Sequence, residues 1–444
     1  MLPPAALYPL VLAWLQALGC CPQQTGRVAV THLVTALLTA QSLQRTALMR
    51  ALWSPRPVPA RQRYKRLERL LDSPWLSPAW LTPGLVRAAL ALVAPVPPGW
   101  PTAGLRHLAL DSVRCGRWEI FTLGVVWHGR VLPVGWAVLP YPWPKGRFTP
   151  TVCRLLRQVA AAWPAEQPAH LVADRAFPSY DLFATLRAVG WGYTLRLQAR
   201  HWLTLAGQTA QARTWLATAQ AGVWTGSVGA YGSGPRAVAG TVVVGRGPLI
   251  VPAHQATPGS LRHRARRLGQ RAQHAASKNK GRTAEHDQWV ILFSTHPTVQ
   301  AARASYRRRW PIEGSYRDAQ TGWDGQHGWG LRPVVTALET PEAVARLVGL
   351  WALGTLLQSW VGHQAGQATA PPLVQQVRAQ WTTTGRLSVW ARGQLALTEP
   401  SGQLTAWLQA TLTAGAARVA ASAPPKRTVS VWPLPFLRPK HQAA

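Results

Sequence analysis

Between Tyr306 and Gln320 the chain reads YRRRWPIEGSYRDAQ. At about 100° per residue on a helix, Tyr306, Arg309, Glu313 and Gln320 fall on one face. That face offers a phenol, a guanidinium, a carboxylate and an amide, where a helix built for packing would show Leu, Ile and Val. Arg and Tyr can hold phosphate oxygens, and a carboxylate suits a hard divalent cation such as Mg²⁺ or Mn²⁺. One carboxylate does not hold such an ion alone, so this chemistry needs acids from elsewhere. A charged surface helix is the alternative reading of the same spacing. Pro311 removes a backbone hydrogen bond at a cost of about 3 kcal/mol inside a helix, which predicts a kink or a second helix with Pro311 in its first turn.

Acids are scarce, 15 against 48 Lys and Arg, and two of them close short apolar runs: Asp111 in LRHLALD and Asp174 in HLVAD. Each has an ordinary alternative. Asp111 could cap a turn, and Asp174 could cap the following helix or pair with Arg175. Brought together, two carboxylates repel unless a proton or a metal joins them. With Glu313 as a third ligand, the joint reading is a metal site.

The elements that must assemble these acids are legible as patterns. Leu105–Asp111, Trp118–Trp127 and Arg130–Leu139 read as three strands, the last two a hairpin about His128-Gly129. The basic, Pro-rich YPWPKGRFTP leads into a helix, Thr151–Ala162. HLVAD reads as a buried strand, followed by a helix, Ser179–Val189, and a strand, Trp191–Leu197. Three strands and then strand, helix, strand predict an α/β mixed sheet of the ribonuclease-H type. In that topology the first and fourth strands are neighbours, so Asp111 and Asp174 converge.

Around this core (residues 101–197 and 289–332) the sequence predicts four further regions. Residues 1–100 read as helices, Ala5–Leu18, Val28–Leu52, Gln62–Leu71 and Leu85–Val93, ending in the stiff APVPPGWP. Arg61, Arg63, Lys65, Arg66 and Arg69 make the third a candidate DNA reader, and a helical cap on the core is the other reading. Residues 198–288 read as a β-rich basic insertion that interrupts the sheet, with hairpins over Trp224–Val244. In it, Leu261–Arg282 is rich in Arg and Lys without an acid, either a clamp on DNA backbone or a solvated loop. Trp202, Trp215 and Trp224 are candidates for stacking on an unpaired base. The strand Trp289–Ser294 then returns to the core. Residues 333–422 read as helical, with Pro341–Trp360 and Pro372–Trp381 clearest, closing a dimer or capping the core. A basic, Pro-rich tail, 423–444, is expected to be disordered.

The formal net charge is +33, which points to a polyanion, with nucleic acid favoured over membrane because no basic amphipathic anchor stands out. Cys20, Cys21, Cys115 and Cys153 show no zinc spacing and no disulfide framework, so the interior of a cell is the expected setting. Ala5–Leu18 lacks the basic flank of a signal peptide and reads as a buried helix. No uninterrupted apolar run reaches the roughly 18 residues of a membrane span.

The blocks LALDSV, HLVADRAF and YRRRWPIEGSYRDAQTG, trailing into GWGLR, together with the hairpin EIFTLGVVWHGRVLPVGWAVL, resemble the bacterial insertion-sequence DDE transposases of family four. That group carries a Tyr-x2-Arg-x3-Glu-x6-Lys signature, and the likeness spans residues 105–332. The resemblance implies a cut-and-paste enzyme acting on double-stranded DNA at transposon inverted repeats and then on target DNA, as a homodimer in the bacterial cytoplasm. It implies Asp111, Asp174 and Glu313 as catalytic ligands of two Mg²⁺ ions, with Mn²⁺ able to substitute, and DNA contacts from Tyr306, Arg309, Arg317 and Gln320. Gln320 stands where the family has Lys, so a neutral hydrogen bond replaces an ion pair to phosphate. A DNA-binding protein without catalysis and a structure-selective nuclease on the same fold are the rival expectations.

Overall fold

The computed structural model describes residues 3–19, 21–54, 56–217, 219–220, 223–246, 289–320, 328–367, 389–398 and 402–422. The expectations for Leu261–Arg282, Pro372–Trp381 and the tail 423–444 therefore lie outside the described residues. Five helices open the chain: α1 (Pro4–Leu18), α2 (Gln24–Ala40), α3 (Arg45–Ala51), α4 (Ala60–Leu71) and α5 (Pro78–Leu92). Next come β1 (Arg106–Cys115), β2 (Trp118–Trp127), β3 (Arg130–Pro140), α6 (Phe148–Ala162), β4 (Ala169–Ala173), α7 (Tyr180–Ala188) and β5 (Gly192–Arg196). The chain continues through β6 (Trp202–Leu205), β7 (Gln208–Gln211), α8 (Ala212–Ala217), β8 (Trp224–Tyr231), β9 (Val238–Arg246) and β10 (Trp289–Ser294). It ends in α9 (Val299–Arg307), α10 (Pro311–Gln320), α11 (Leu331–Thr336), α12 (Pro341–Ala365), α13 (Val389–Thr398) and α14 (Gly402–Ala421).

The ten described strands belong to one mixed sheet, ordered β3-β2-β1-β4-β5-β10-β9-β8-β6-β7. The β2–β3 hairpin closes on His128 and Gly129, both left-handed at φ 44° and 75°, the tight turn the dipeptide predicts. β1 runs antiparallel to β2 and parallel to β4, and β4 runs parallel to β5, with α7 as the crossover. The side chain of Ser179 accepts the Leu182 amide and so caps α7, which takes the helix-capping alternative away from Asp174.

Three differences from the sequence reading have clear causes, and one expectation is met. β1 does not end at Asp111 but runs to Cys115, because its register with β2 continues to Cys115↔Trp118. The expected helix Val28–Leu52 is two, parted where Gln41 turns left-handed (φ 48°) and the Leu43 amide bonds to Trp329 O. Tyr306–Gln320 is two helices, as Pro311 predicts, the second starting at that proline, where a missing amide proton costs nothing. Finally, the insertion prolongs the sheet rather than interrupting it: β9 pairs with β10, and β8, β6 and β7 follow outward.

The flanking helices share the sheet's core. Leu7, Val11, Trp14, Leu33 and Leu37 are buried in one cluster with Leu110, Phe121, Val134, Trp351 and Leu412. Trp14 Nε1 donates to Leu412 O at 2.7 Å, tying α1 to α14. The described N-terminal helices are thus packed as a cap on the core. α12 is long and apolar enough to cross a membrane, but 89% of its most apolar window is buried inside the fold, where it serves as a core helix. Burying a Leu or Val side chain gains about 1.5–3 kcal/mol.

Candidate functional site

Leu110 pairs with Ala173 across the parallel β1–β4 ladder, so the next residues, Asp111 and Asp174, sit side by side where β4 ends. α10 crosses β1, β2 and β3 and brings Glu313 to the same place. Side-chain exposure grades from 18% at Asp111 through 29% at Asp174 to 48% at Glu313, a half-open arrangement with its innermost acid on the strand.

Arg309, only 4% exposed, lies among them. Its Nη1 donates to Asp111 Oδ2 at 3.1 Å and its Nη2 to Glu313 Oε1 at 2.5 Å. The Tyr306 phenol, fully buried, donates to Asp174 Oδ1 at 3.3 Å, and Arg196 Nη1 stands 3.9 Å from the same oxygen. The Ser112 amide donates to Asp111 Oδ1 at 2.9 Å, and the buried Tyr316 hydroxyl donates to the Asp111 carbonyl at 3.1 Å. Although Pro311 breaks the helix, Tyr306, Arg309 and Glu313 meet at one site, as their spacing suggested.

Burial pushes the Asp111 carboxyl up to about 6; Arg309 and the Ser112 amide oppose this, and Asp174 and Glu313 reinforce it. Burial works against the charge on Arg309, yet Tyr306 and the three carboxylates outweigh it and hold its proton above the usual range. The two directions agree physically. One guanidinium shared by three acids is strongly favoured, while each acid receives only a fraction of its charge. Burial and the neighbouring Asp174 hold the Tyr306 phenol well above its ordinary range, so it is a donor. The site carries an excess of negative charge that hard cations suit. With the side chains as they stand, no group of three or more His, Cys, Asp or Glu is set to hold a metal ion among the described residues. The cation between Asp111 and Glu313 is Arg309.

Arg317 and Gln320 are not part of this constellation. Arg317 is exposed on α10, and Gln320 ends that helix about two turns, ~10 Å, beyond Glu313. Three residues of the same block were passed over. The nearly buried Asp318 (1% exposed) pairs with Arg130, the buried Ser315 hydroxyl accepts the Val131 amide at 2.9 Å, and Tyr316 holds the Asp111 carbonyl. Asp318 and Ser315 clamp α10 to the start of β3, Tyr316 ties it to β1, and together they fix Glu313. A second acid within YRRRWPIEGSYRDAQ, in a chain so poor in acids, was the available signal. The Trp224 ring is covered by the Arg303 guanidinium at 4.3 Å, which removes it as an open stacking face. The sequence matches no protein-family model and no curated protein.

Proposed function

We propose that the chain is a DNA transposase of the cut-and-paste kind, built on a ribonuclease-H-like core, with Asp111, Asp174 and Glu313 as its catalytic carboxylates. The observation that carries this reading is the meeting of three acids from distant segments, two on neighbouring parallel strands and one on a later helix, with Arg309 bridging Asp111 and Glu313 and Tyr306 holding Asp174. The strand order β3-β2-β1-β4-β5 and the formal net charge of +33 support it from the fold and from the partner's side.

The donor chemistry fits hard divalent cations, Mg²⁺ or Mn²⁺, and Asp111, Asp174 and Glu313 are the groups that would hold them. Such ions supply a lowered pKa for water and stabilisation of the leaving oxygen. With cations held by these acids, Arg309 would no longer be needed between Asp111 and Glu313 and could pair with a DNA phosphate. Tyr306 keeps its phenolic proton and orients Asp174. In the reaction a P–O bond forms from water and the bond to the 3′ oxygen breaks; the freed 3′-hydroxyl later attacks a target phosphodiester in the same sense. Arg317 and Gln320 would touch DNA outside this centre, and a homodimer would pair two element ends.

The guanidinium seated between Asp111 and Glu313 specifically favours one other reading, a DNA-binding protein without catalysis. Single D111A, D174A and E313A variants separate the two. Loss of Mg²⁺-dependent cleavage of DNA carrying the element's ends, with binding retained, is the expected result. Wild-type protein that binds such DNA but never nicks it would establish the binding reading. Cleavage without joining to target DNA would indicate a nuclease.

A further inference from the structure

The segment joining β3 to α6 forms an exposed aromatic and basic surface at the end of the sheet toward which β1 and β4 run. Tyr141 begins it, its amide bonded to Arg117 O at 2.7 Å beside the β1–β2 turn. Trp143 follows, 37% exposed, with Lys145 and Arg147 exposed after it. Arg114, three residues beyond Asp111 on β1, lies 3.6 Å over the Tyr141 ring. Trp143 in turn meets Phe148 at 5.2 Å, Phe148 meets Phe177 at 5.6 Å, and the Phe177 amide donates to the Asp174 carbonyl at 3.2 Å. Two ring contacts therefore connect Trp143 to the turn bearing Asp174.

The two rings beside Trp143 meet it at steep angles, 75° for Tyr141 and 51° for Phe148, so neither lies flat on its face. A flat, aromatic partner can. Lys145 and Arg147, two and four residues after it, are exposed, and neither is paired with a carboxylate among the described residues. An exposed indole followed by exposed cations matches a nucleobase with its phosphates, because stacking is open to any base while cations follow the backbone. A base inside a duplex has no free face, so the base must be unpaired. Trp202, although more exposed at 53%, lies on β6 near the far edge of the sheet, away from the acids.

We propose that Trp143, with Lys145 and Arg147, is a stacking platform for an unpaired nucleotide of DNA whose neighbouring phosphate lies at Asp111 and Asp174. The proposal rests on the DNA reading above and goes beyond it by naming where single-stranded DNA is held. The test uses full-length protein and two DNAs, a blunt duplex and the same duplex with a single-stranded 3′ extension containing 2-aminopurine. Wild type is expected to bind the extended DNA more tightly and to quench the 2-aminopurine. W143A is expected to lose about tenfold in affinity for the extended DNA and to lose the quenching, with blunt-duplex affinity unchanged. W143F should restore most of both, and K145A/R147A should weaken binding to both DNAs. If W143A binds and quenches like wild type while wild type prefers the extended DNA, the platform is elsewhere and the DNA reading stands. If wild type binds neither DNA, the DNA reading itself fails. If W143A weakens both DNAs equally, Trp143 contacts duplex only and the platform proposal is overturned.

Discussion

Arg309 is the residue on which the charge balance of the site turns. Its guanidinium neutralises part of three carboxylates while being almost fully buried itself, and removing one partner of a buried ion pair leaves an uncompensated charge. R309Q should therefore destabilise the metal-free protein by about 2–4 kcal/mol, below the 3–5 kcal/mol of a fully buried pair because Glu313 is half exposed. Millimolar Mn²⁺ should recover a larger part of that loss in R309Q than it adds to wild type, since a bound divalent ion stabilises the folded state by mass action. Urea unfolding with Mn²⁺ and with EDTA checks both; an R309Q midpoint indifferent to Mn²⁺ would mean the acids do not take the ion. D111N is expected to act oppositely. The folded protein resists ionising Asp111, whose pKa rises from 3.8 to about 6, so stability is fully present below 3.8 and is lost as pH climbs to about 6. At pH 7 a neutral, isosteric Asn escapes that cost while still accepting from Arg309. A higher unfolding midpoint for D111N than for wild type at pH 7, with the gap closing towards pH 4, is the expected outcome.

At the scale of the element, α10 illustrates what the sequence could and could not reveal. The carboxylate of Glu313 and its link to Tyr306 and Arg309 were legible because i, i+3 and i+4 spacing holds on either side of a proline break. Asp111 and Asp174 on neighbouring strands were legible too, because the order of three strands followed by strand, helix, strand suggested a sheet in which the first and fourth strands adjoin, whereas their register was not. The clamp that seats α10 was not, because Arg130–Asp318 joins residues far apart in sequence and neither has a local pattern. The same limit applies to the insertion, whose edge pairing with β10 depends on register that no short window encodes. The clamp predicts a specific outcome. D318A strands Arg130, which is 13% exposed and can partly rehydrate, so a loss of about 2–3 kcal/mol is expected. A joint R130M/D318L change should recover at least 1 kcal/mol of it, measured as a double-mutant cycle by urea unfolding. Equal, additive losses in the cycle would show that the pair does not act as a unit. Under the proposed function, D318A should also slow cleavage more than it weakens DNA binding, because it frees Glu313 and leaves the basic surface intact.

Among the described residues the helical flanks and most of the sheet share one large core, with a smaller cluster around Val243, Leu292 and Tyr306, and the histidines set how the fold answers to acid. The segment boundaries at Pro and Gly were readable, but the sharing of a core by α1, α12 and α14 was not, because contact between distant helices leaves no spacing signal. Deep in the sheet, His107 Nε2 and His296 Nε2 both bond to Ser305 Oγ, at 2.9 and 2.7 Å, and His170 stacks on His296 at 4.2 Å while bonding to Thr194. Burial lowers His107 to about 3, with Arg308 and His296 adding to the effect, and lowers His170 and His296 as well. A histidine whose folded pKa is depressed contributes stability that is complete above its unfolded pKa of 6.5 and is lost as pH falls below it. Each imidazole that stays neutral in the fold costs up to about 1.4 kcal/mol per pH unit in that range. Asp111, gaining between 6 and 3.8, and Asp318, also raised by burial, run the other way, but they are outnumbered, because burial lowers His32, His128, His201 and His363 as well. Stability should therefore fall from pH 7 to pH 5, and urea midpoints across that range are the measurement. H107Q keeps a hydrogen-bonding group for Ser305 and removes one titration, so its midpoint should start slightly lower at pH 7 and decline less steeply. Parallel pH profiles for H107Q and wild type would show that the histidine cluster does not govern acid stability. The cluster also holds Ser305, next to Tyr306, so its loosening in acid should release the phenol from Asp174 before the helical flanks unfold. Amide hydrogen exchange at pH 5, faster in α9 than in α12, would report that order.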